Sequence, residues 1–278
     1  MPTTLDQIVA RTRAITEERK QNANMRALEA AAERHKPRGL RAKLLEASRE
    51  QPAVIAELKK ASPSKGVIRN DFNVPDLALQ LLQSGASALS VLTEEEHFQG
   101  SLDYLRIASS IVSIPCLRKD FIVDEFQVLE ARANCADAIL LIVAALDDDE
   151  LRELHSAARR MALDVLCEIH DNEELDRALD HGFDMIGVNN RDLRTFNVNL
   201  ETAFRLVDKI PDPVVRVAES GINSGLQMRQ LCSAGYHAFL IGESLMKQAN
   251  PGPALAKLLS EAAQVPKEAA ATMPKRPA

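Results

Sequence analysis

Two oppositely charged residues close an apolar run near the start of this sequence. Glu57 and Lys59 follow a run that begins at Val54, and a Ser-Pro-Ser-Lys-Gly segment at 62–66 comes next. Alternate residues of a β-strand point to the same side, so Ile55, Glu57 and Lys59 share one face. Charged side chains are rarely buried unless they are paired or used. The pattern therefore indicates either the rim of a catalytic site or an edge strand with a solvated charged face.

Polar residues also stand where later apolar runs end. Lys119 closes the run that begins near Pro115, Glu168 the run that begins near Leu163, and Asn189 the following run. Glu94, Arg118, Asp120, Asn190 and Arg191 also stand at such ends, so ionisable groups of both signs are available for acid–base chemistry there. This chemistry requires a fold that brings the ends of these runs to one place.

Small residues end the last two apolar runs. Ser220 and Gly221 follow the first of them, and Gly242 follows the second. Unhindered backbone N–H groups at the start of a helix can bind a phosphate, so we predict a phosphate site at these turns. The alternative is that the glycines only relieve tight turns. Glu243 weighs against phosphate, because a carboxylate repels a dianion.

The elements that must position these residues are of two alternating kinds. Apolar runs predict eight strands, and the amphipathic segments between them, several with Ser, Asp or Asn at their starts, predict helices. The predicted strands begin near Ala53, Ala88, Pro115, Ala138, Leu163, Met185, Val214 and Ala238. Alternating strands and helices of this spacing are typical of βα units in a parallel sheet.

This alternation fits either a closed (β/α)8 barrel or an open doubly wound sheet. The runs are apolar on both faces, and no Gly-x-Gly-x-x-Gly follows the first one, so we predict an α/β fold of the TIM-barrel type. Helical periodicity before residue 50 predicts an N-terminal helical extension that could cap one end of the barrel. We expect one domain over residues 1–264, including these helices, and a disordered tail over residues 265–278.

Composition argues against several classes of protein. The chain has 278 residues, of which 46% are hydrophobic and 27% charged, enough to bury a large core. A net charge of -6 argues against nucleic acid or an anionic membrane as the partner. Four widely spaced cysteines indicate a reduced, cytoplasmic enzyme. The histidines show no metal-ligand spacing, and we expect a solvated loop rather than a metal site at 94–97. We also expect a solvated ring at His170, just past a strand end; the alternative is that it modulates Glu168.

Several segments, in chain order, resemble the indole-3-glycerol-phosphate synthase family. They are residues 55–66 (IAELKKASPSKG), 90–94, 98–101, 117–123 (LRKDFIV), 187–193 (GVNNRDL), 218–222 (AESGI) and 239–242. The resemblance extends from about Leu5 to about Ala262, and the motifs are specific together rather than singly. It implies a carboxy-lyase of tryptophan biosynthesis. Such an enzyme converts 1-(2-carboxyphenylamino)-1-deoxyribulose 5-phosphate to indole-3-glycerol phosphate by ring closure, decarboxylation and dehydration.

The resemblance also implies roles for individual residues. Lys119 matches the general acid of ring closure and Glu168 the general base, while Lys59 could bind anionic parts of the substrate or act as the acid of dehydration. Glu57 and Asn189 would assist them. Core packing is the alternative for Leu140 and Ile241. The substrate-binding positions implied are Ser62, Arg191, Glu219, Ser220, Gly221, Gly242 and Glu243 for the anionic groups, and Phe98, Phe121, Leu140, Leu193 and Ile241 for the aromatic half.

Cofactors and partners follow from the same chemistry. No cofactor or metal is implied, because the reaction has no redox step and needs no electron sink. We expect a phosphorylated small molecule as the ligand and a monomer or weak homodimer; association with other enzymes of the tryptophan pathway stays open.

Other functions fit part of the pattern. A Schiff-base aldolase could use Lys59 or Lys119 near a phosphate site. A phosphoribosyl isomerase would need an acid and a base but no pocket for an aromatic carboxylate. A non-catalytic phosphosugar-binding barrel would need neither an acid–base pair nor a pocket for an aromatic carboxylate.

Overall fold

Eight parallel strands close into a barrel in the computed structural model, which describes residues 3–193 and 195–266. Each strand pairs with its neighbours in the chain, and β8 pairs with β1 to close the ring. The strands are β1 Ala53–Leu58, β2 Ala88–Leu92, β3 Cys116–Lys119, β4 Ala138–Ile142, β5 Asp164–Ile169, β6 Met185–Asn189, β7 Val215–Glu219 and β8 Ala238–Ile241. The TIM-barrel prediction is confirmed. The edge-strand interpretation of β1 is wrong, because a closed barrel has no edge.

Helices surround the barrel and precede it. They are α1 Thr4–Asn22, α2 Met25–Arg34, α3 Leu40–Ser48, α4 Val74–Gln83, α5 Leu102–Ile111, α6 Glu125–Ala133, α7 Asp148–Arg160, α8 Asn172–Asp180, α9 Glu201–Leu206, α10 Gly225–Ala234, α11 Glu243–Met246 and α12 Pro251–Gln264. Cap chemistry fixes several starts: the Asp147 side chain accepts from Glu150 N in a capping box, and Ser224 accepts from Gln227 N. Residues 267–278 of the predicted tail lie outside the described residues.

The strands are buried on both faces, because two hydrophobic layers cover them. In β1, Ala53 and Ile55 pack into the barrel interior, whereas Val54, Ala56 and Leu58 pack against the surrounding helices. The interior face of β1 continues to Glu57 at the carboxyl end of the strand. The same alternation in each strand directs the polar residues at the strand ends into one mouth.

Helix α3 closes the opposite end of the barrel, where the strands begin. Leu40 and Leu44 are fully buried and belong to the interior layer. The segment before α3 is held by Asp137, whose buried carboxylate accepts hydrogen bonds from the backbone and guanidinium of Arg38 and from Cys116 N. A buried carboxylate with this many donors is stabilised as the ion.

Helix α1 lies at the mouth. Only Ile8, Thr12 and Thr16 of this helix are buried, so apolar packing holds it weakly. Ion pairs with the segments that follow β2, β3 and β4 attach it to the barrel: Arg11–Glu96, Arg13–Glu150, Arg19–Glu130 and Lys20–Asp124. The N-terminal extension is therefore confirmed as helical, and it covers both ends of the barrel rather than one.

Candidate active site

A cavity of about 990 Å³ opens at the carboxyl ends of the strands. Strand ends, the loops after them and helix α1, through Leu5 and Ile8, form its wall. All but one of the residues predicted to be catalytic or substrate-binding line it: Glu57, Lys59, Ser62, Phe98, Lys119, Phe121, Glu168, Asn189, Arg191, Leu193, Glu219, Ser220, Gly221, Ile241, Gly242 and Glu243. The exception is Leu140, which lies in the interior layer of the barrel core.

Lys119 and Glu168 form the central ion pair of the cavity. The Lys119 ammonium donates to Glu168 Oε2 at 2.9 Å, and Asn189 Nδ2 donates to Glu168 Oε1 at 3.1 Å. Burial disfavours both charges, but the neighbouring groups outweigh it. The carboxylates of Glu168, Glu219 and Glu57 raise the pKa of Lys119. Lys119, His170 and Asn189 hold the pKa of Glu168 below its usual range. At neutral pH the pair therefore consists of an ammonium and a carboxylate.

Glu219 is the contrasting carboxyl group of the site. Its side chain is 2% exposed and its Oε2 lies 3.9 Å from Lys119 Nζ. Burial and the negative charge of Glu168 raise the pKa of Glu219 well above its usual value. Gly187 makes room for it, since a Cβ there would lie 2.1 Å from Glu219 Oε1. Two neighbouring carboxyl groups thus have opposite protonation preferences, a common feature of acid–base sites.

Glu57 and Lys59 form a second ion pair. Lys59 Nζ lies 3.2 Å from Glu57 Oε2 and 5.6 Å from the centre of the Phe98 ring, within reach of a cation–π contact. A Cβ at residue 242 would lie 2.0 Å from Glu57 Oε2. Gly242 therefore provides space for the Glu57 carboxylate, a requirement that the sequence alone did not reveal.

His170 is largely buried beside Glu168, and the expectation of a solvated ring is wrong. Its side chain is 14% exposed, and its Nε2 lies 3.5 Å from Glu168 Oε1. Its Nδ1 lies 3.0 Å from Glu174 Oε2. The carboxylates of Glu174 and Glu168 outweigh burial and raise the pKa of His170.

The loops after β7 and β8 combine unusual backbone conformations with positive charge. Ser220 and Gly221 adopt positive φ angles of 64° and 80°. A Cβ at Gly221 would lie 2.5 Å from Val198 Cγ1, so this turn needs glycine. Nearby, Glu243 pairs with Arg191 at 3.3 Å and with Lys247 at 2.5 Å.

Arg191 and Lys247 bear on the objection that the Glu243 carboxylate would repel a phosphate at this turn. Burial works against the charge of Glu243, but Lys247 and Arg191 hold its pKa below its usual value. The carboxylate charge is therefore balanced by two cations. Lys247, which also lines the cavity, was missed by sequence reasoning; its position four residues after Glu243 on a short helix is the signal that could have found it.

Apolar side chains form part of the cavity wall. Phe98 and Phe121 lie with ring centres 6.3 Å apart, and Leu193 lines the same cavity. Ile142 and Leu240 also line it, and neither was predicted. Ile142 lies two residues beyond Leu140 on the same face of β4, so the alternation identified the correct face but not the layer nearest the mouth. Ile241 packs into the outer layer as well as lining the cavity.

The acidic segment at 94–97 is a loop in which Glu95 and Glu96 are exposed, as expected, whereas Glu94 is buried. Glu94 is 8% exposed, and its carboxylate accepts hydrogen bonds from the backbone N–H groups of Glu96, His97 and Phe98. Glu94 therefore organises the loop that carries Phe98 into the cavity. Within residues 3–193 and 195–266, no group of three or more His, Cys, Asp or Glu side chains could hold a metal ion. No helix in the same residues is long and apolar enough to span a membrane.

Comparison with known proteins gives the family. The family model described as indole-3-glycerol phosphate synthase matches residues 5–258. The indole-3-glycerol phosphate synthase of Koribacter versatilis (strain Ellin345) is 54% identical over 259 residues, covering 93% of this chain and all of that protein. The enzyme of the same name from Polaromonas naphthalenivorans (strain CJ2) is 49% identical over 211 residues, covering 76% of this chain and 80% of its own.

The chain belongs to the indole-3-glycerol phosphate synthase family. This membership makes it a carboxy-lyase of tryptophan biosynthesis. Among solved structures, 3-hexulose-6-phosphate synthase from Salmonella typhimurium has a TM-score of 0.61 at 13% identity and covers 76% of this chain and 99% of its own. Thiamine phosphate pyrophosphorylase from Pyrococcus furiosus has a TM-score of 0.59 at 15% identity, with coverages of 78% and 98%. These two likenesses show the fold alone.

Proposed function

We propose that this mouth converts 1-(2-carboxyphenylamino)-1-deoxyribulose 5-phosphate to indole-3-glycerol phosphate with Lys119 as general acid and Glu168 as general base. The observation that carries the assignment is the buried Lys119–Glu168 pair, which lines the same cavity as the Ser220–Gly221 turn and the Phe98–Phe121 wall. An acid, a base, an anion site and an aromatic surface are the four requirements of this substrate.

Ring closure uses the acid. The aryl carbon that bears the carboxylate attacks the ketone carbon, and Lys119 gives its proton to the ketone oxygen as negative charge grows there. The C–CO2 bond then breaks, and its electron pair restores the aromatic ring. The raised pKa of Lys119 keeps the group protonated at neutral pH, so the proton is in place before the substrate reacts.

Dehydration uses both an acid and the base. The new hydroxyl group leaves as water after it receives a proton, and Glu168 removes a proton from the adjacent carbon or nitrogen so that the electron pair forms the pyrrole double bond. Two protons are donated and one is removed, so one proton enters from solvent in each turnover. Lys59 stands 3.2 Å from Glu57 at the same mouth and is available as the second acid or as an anion ligand.

Substrate binding divides between the two sides of the cavity. We assign the phosphate to the backbone of Ser220, Gly221 and Gly242, with Arg191 and Lys247 supplying positive charge. Ser62 Oγ is buried at the mouth and has no hydrogen-bond partner among the described residues, which suits a ligand contact. The aromatic ring rests against Phe98 and Phe121.

A direct assay tests the function. Purified protein is mixed with the substrate without added metal or cofactor, and indole fluorescence and carbon dioxide release are followed. We expect one equivalent of each per substrate consumed. Absence of product would contradict the assignment.

Two variants test the roles. Lys119→Met and Glu168→Gln should each lower kcat by about 10²–10⁴-fold, the usual contribution of a positioned acid or base, and change substrate affinity much less. Lys43→Met, on α3 at the closed end of the barrel, and Glu173→Gln, exposed on α8, are the matched controls and should keep wild-type kcat. Equal losses in kcat and in affinity would argue against the catalytic roles.

The Schiff-base alternative makes a separate prediction. A lysine nucleophile needs a lowered pKa to be unprotonated, whereas the pKa of Lys119 is raised. Borohydride treatment with a ketose phosphate should therefore leave the mass of the protein unchanged. A covalent adduct at Lys59 or Lys119 would favour the aldolase.

We propose in addition that residues 1–264 form one domain and that the protein is a cytoplasmic monomer or weak homodimer. Four unpaired cysteines suit a reducing compartment. Large apolar side chains that are exposed lie on separate segments of the described chain: Met25, Val67, Leu79, Val198 and Leu226. Sedimentation over a range of concentrations tests the oligomeric state, and limited proteolysis tests the domain boundary.

A further inference from the structure

The ring of His170 lies between two carboxylates at the end of β5. His170 stands two residues after Glu168, immediately past the end of β5, and its ring lies beside the Glu168 carboxylate. Its side chain is 14% exposed, and the ring is not part of the cavity wall. A residue in this position can act on the base without touching the substrate.

One ring nitrogen has a defined proton. Glu174 Oε2 accepts a hydrogen bond from His170 N at 2.8 Å and lies 3.0 Å from His170 Nδ1. Glu174 is in the first turn of α8, where the helix dipole favours an ionised carboxylate. An ionised carboxylate can only accept, so Nδ1 carries a hydrogen.

The other ring nitrogen faces the base. His170 Nε2 lies 3.5 Å from Glu168 Oε1 and makes no hydrogen bond to any described residue. If the ring were neutral, with its hydrogen on Nδ1, the Nε2 lone pair would face the carboxylate and repel it. A proton on Nε2 turns this contact into an attraction.

We propose that His170 is a positioning residue that stands as an imidazolium between Glu174 and Glu168 and keeps Glu168 ionised and oriented for proton removal. This inference rests on the role of Glu168 as the base in the proposed function. Asn189 and His170 both lie next to Oε1 of Glu168. The other oxygen, Oε2, therefore points to Lys119 and the cavity.

The charged groups around the ring favour this state. Glu174 from α8 and Glu168 from β5 favour the imidazolium, and Lys119 from β3 opposes it. Burial also opposes it, but the two carboxylates prevail and the pKa of His170 is raised. Arg177, on the same helix as Glu174, points to the carbonyl groups of Val143 and Leu146.

The proposal has a consequence for turnover. After Glu168 takes a proton, the imidazolium faces a neutral carboxyl group and the attraction between them is lost. The positive ring then favours loss of the new proton from Glu168, which returns the base to its ionised form. His170 thereby restores the base without itself entering the reaction.

Nitrogen NMR tests the charge of the ring without any need for turnover. In protein labelled with ¹⁵N-histidine, both ring nitrogens of His170 should be protonated at pH 7, and the ring should titrate above the ordinary histidine value of about 6.5. His170→Gln identifies the signal, and Glu174→Gln, which should lower that titration, identifies it if His170→Gln does not fold. A neutral ring at pH 6.5 with an unprotonated Nε2 would overturn the proposal.

Kinetics then test the effect on Glu168. His170→Gln removes a positive charge beside the carboxylate, so the acidic limb of the kcat profile should move up by about one pH unit, a shift typical of losing a nearby opposite charge. His181→Gln, which removes a ring paired with Asp148 outside the cavity, should leave the profile unchanged. A loss of kcat that is equal at all pH values would indicate a merely structural role and would overturn the proposal. If the wild-type protein forms no indole product while the imidazolium is observed, the proposed function fails instead.

Discussion

At the scale of single residues, the site gathers several carboxyl and ammonium groups within one cavity. Glu168 and Glu219 have the same side chain, yet their pKa values move in opposite directions. At Glu219, which is 3.9 Å from Lys119, burial and the charge of Glu168 prevail, whereas at Glu168 the Lys119 ammonium at 2.9 Å and its other partners outweigh burial. The difference is set by position, since both side chains are equally buried. The two neighbouring carboxyl groups therefore differ in how readily they ionise.

Glu219 should reduce the stability of the fold at neutral pH. Its pKa is raised on folding, so the unfolded chain ionises first and stability is lost as pH rises above the unfolded value of about 4.3. Glu219→Gln removes this loss. We expect its gain in the free energy of unfolding to be larger at pH 8 than at pH 5, measured by denaturant titration at both pH values.

A control separates this effect from a general effect of the substitution. Glu201→Gln, on the exposed side of α9, should change stability equally at the two pH values. A Glu219→Gln gain that does not grow with pH would show that this carboxyl group is readily ionised in the folded protein.

At the scale of elements, α1 is joined to β3, the strand that carries Lys119, through a chain of charged side chains. Arg19 on α1 pairs with Glu130 at 2.5 Å, and Glu130 pairs with the fully buried Arg118 at 3.0 Å. Arg118 precedes Lys119 and also pairs with Asp120 at 2.9 Å. Helix α1, which lines the cavity, and the strand that carries Lys119, the proposed general acid, therefore share one network of charges.

Loss of Arg19 should affect both stability and substrate binding. Arg19→Ala leaves Glu130, which is 5% exposed, with fewer partners, and we expect a loss of about 1–3 kcal/mol in the free energy of unfolding. Because α1 contributes Leu5 and Ile8 to the cavity wall, KM should rise more than kcat falls. Denaturant titration and steady-state kinetics measure the two effects.

Arg11→Ala is the comparison, since the Arg11–Glu96 pair is exposed on both sides. We expect little change in either quantity for this variant. Equal effects of the two substitutions would show that burial of the Arg19 pair makes no difference.

Most of the strands and helices could be predicted, because the local pattern determines them. Apolar runs located each strand start to within one residue, and cap residues such as Asp147 and Ser224 marked helix starts. Period-two alternation placed Glu57 and Lys59 on the interior face. It could not distinguish Leu140 from Ile142, since both are on the same face and only the depth of the barrel separates them.

The remaining site features depend on contacts between distant segments. Gly242 makes room for Glu57 from the other end of the chain, and His170 is buried through Glu174 on the next helix. Glu94 is buried through hydrogen bonds within its own loop, whose conformation no periodicity encodes. Such features arise from tertiary packing and have no local sequence signal.

At the scale of the whole molecule, stability and catalysis are assigned to opposite ends of the barrel. Leu44 on α3 is fully buried among interior residues at the closed end. Leu44→Ala should lower the free energy of unfolding by about 2–5 kcal/mol, through the cavity that it leaves. We expect kcat/KM to stay within about twofold of the wild type, because the substitution is remote from the mouth.

Leu45→Ala provides the matched comparison, because Leu45 is only partly buried. It should cost less stability than Leu44→Ala. A fall in kcat/KM for Leu44→Ala that is as large as its fall in stability would contradict the separation between the two ends.

The position of α3 also bears on how the chain folds during synthesis. Leu40 and Leu44 leave the ribosome early, yet the interior layer that buries them includes Val217, Ala238 and Leu240. β1 likewise cannot complete its hydrogen bonding until β8 has been synthesised, because the two strands pair, for example Ala53 with Ala238. The first fifty residues therefore keep apolar surface exposed until the last strand is made, and this long sequence separation slows folding and favours aggregation. The growing chain should thus bind chaperones for longest at the segment that contains α3 and β1.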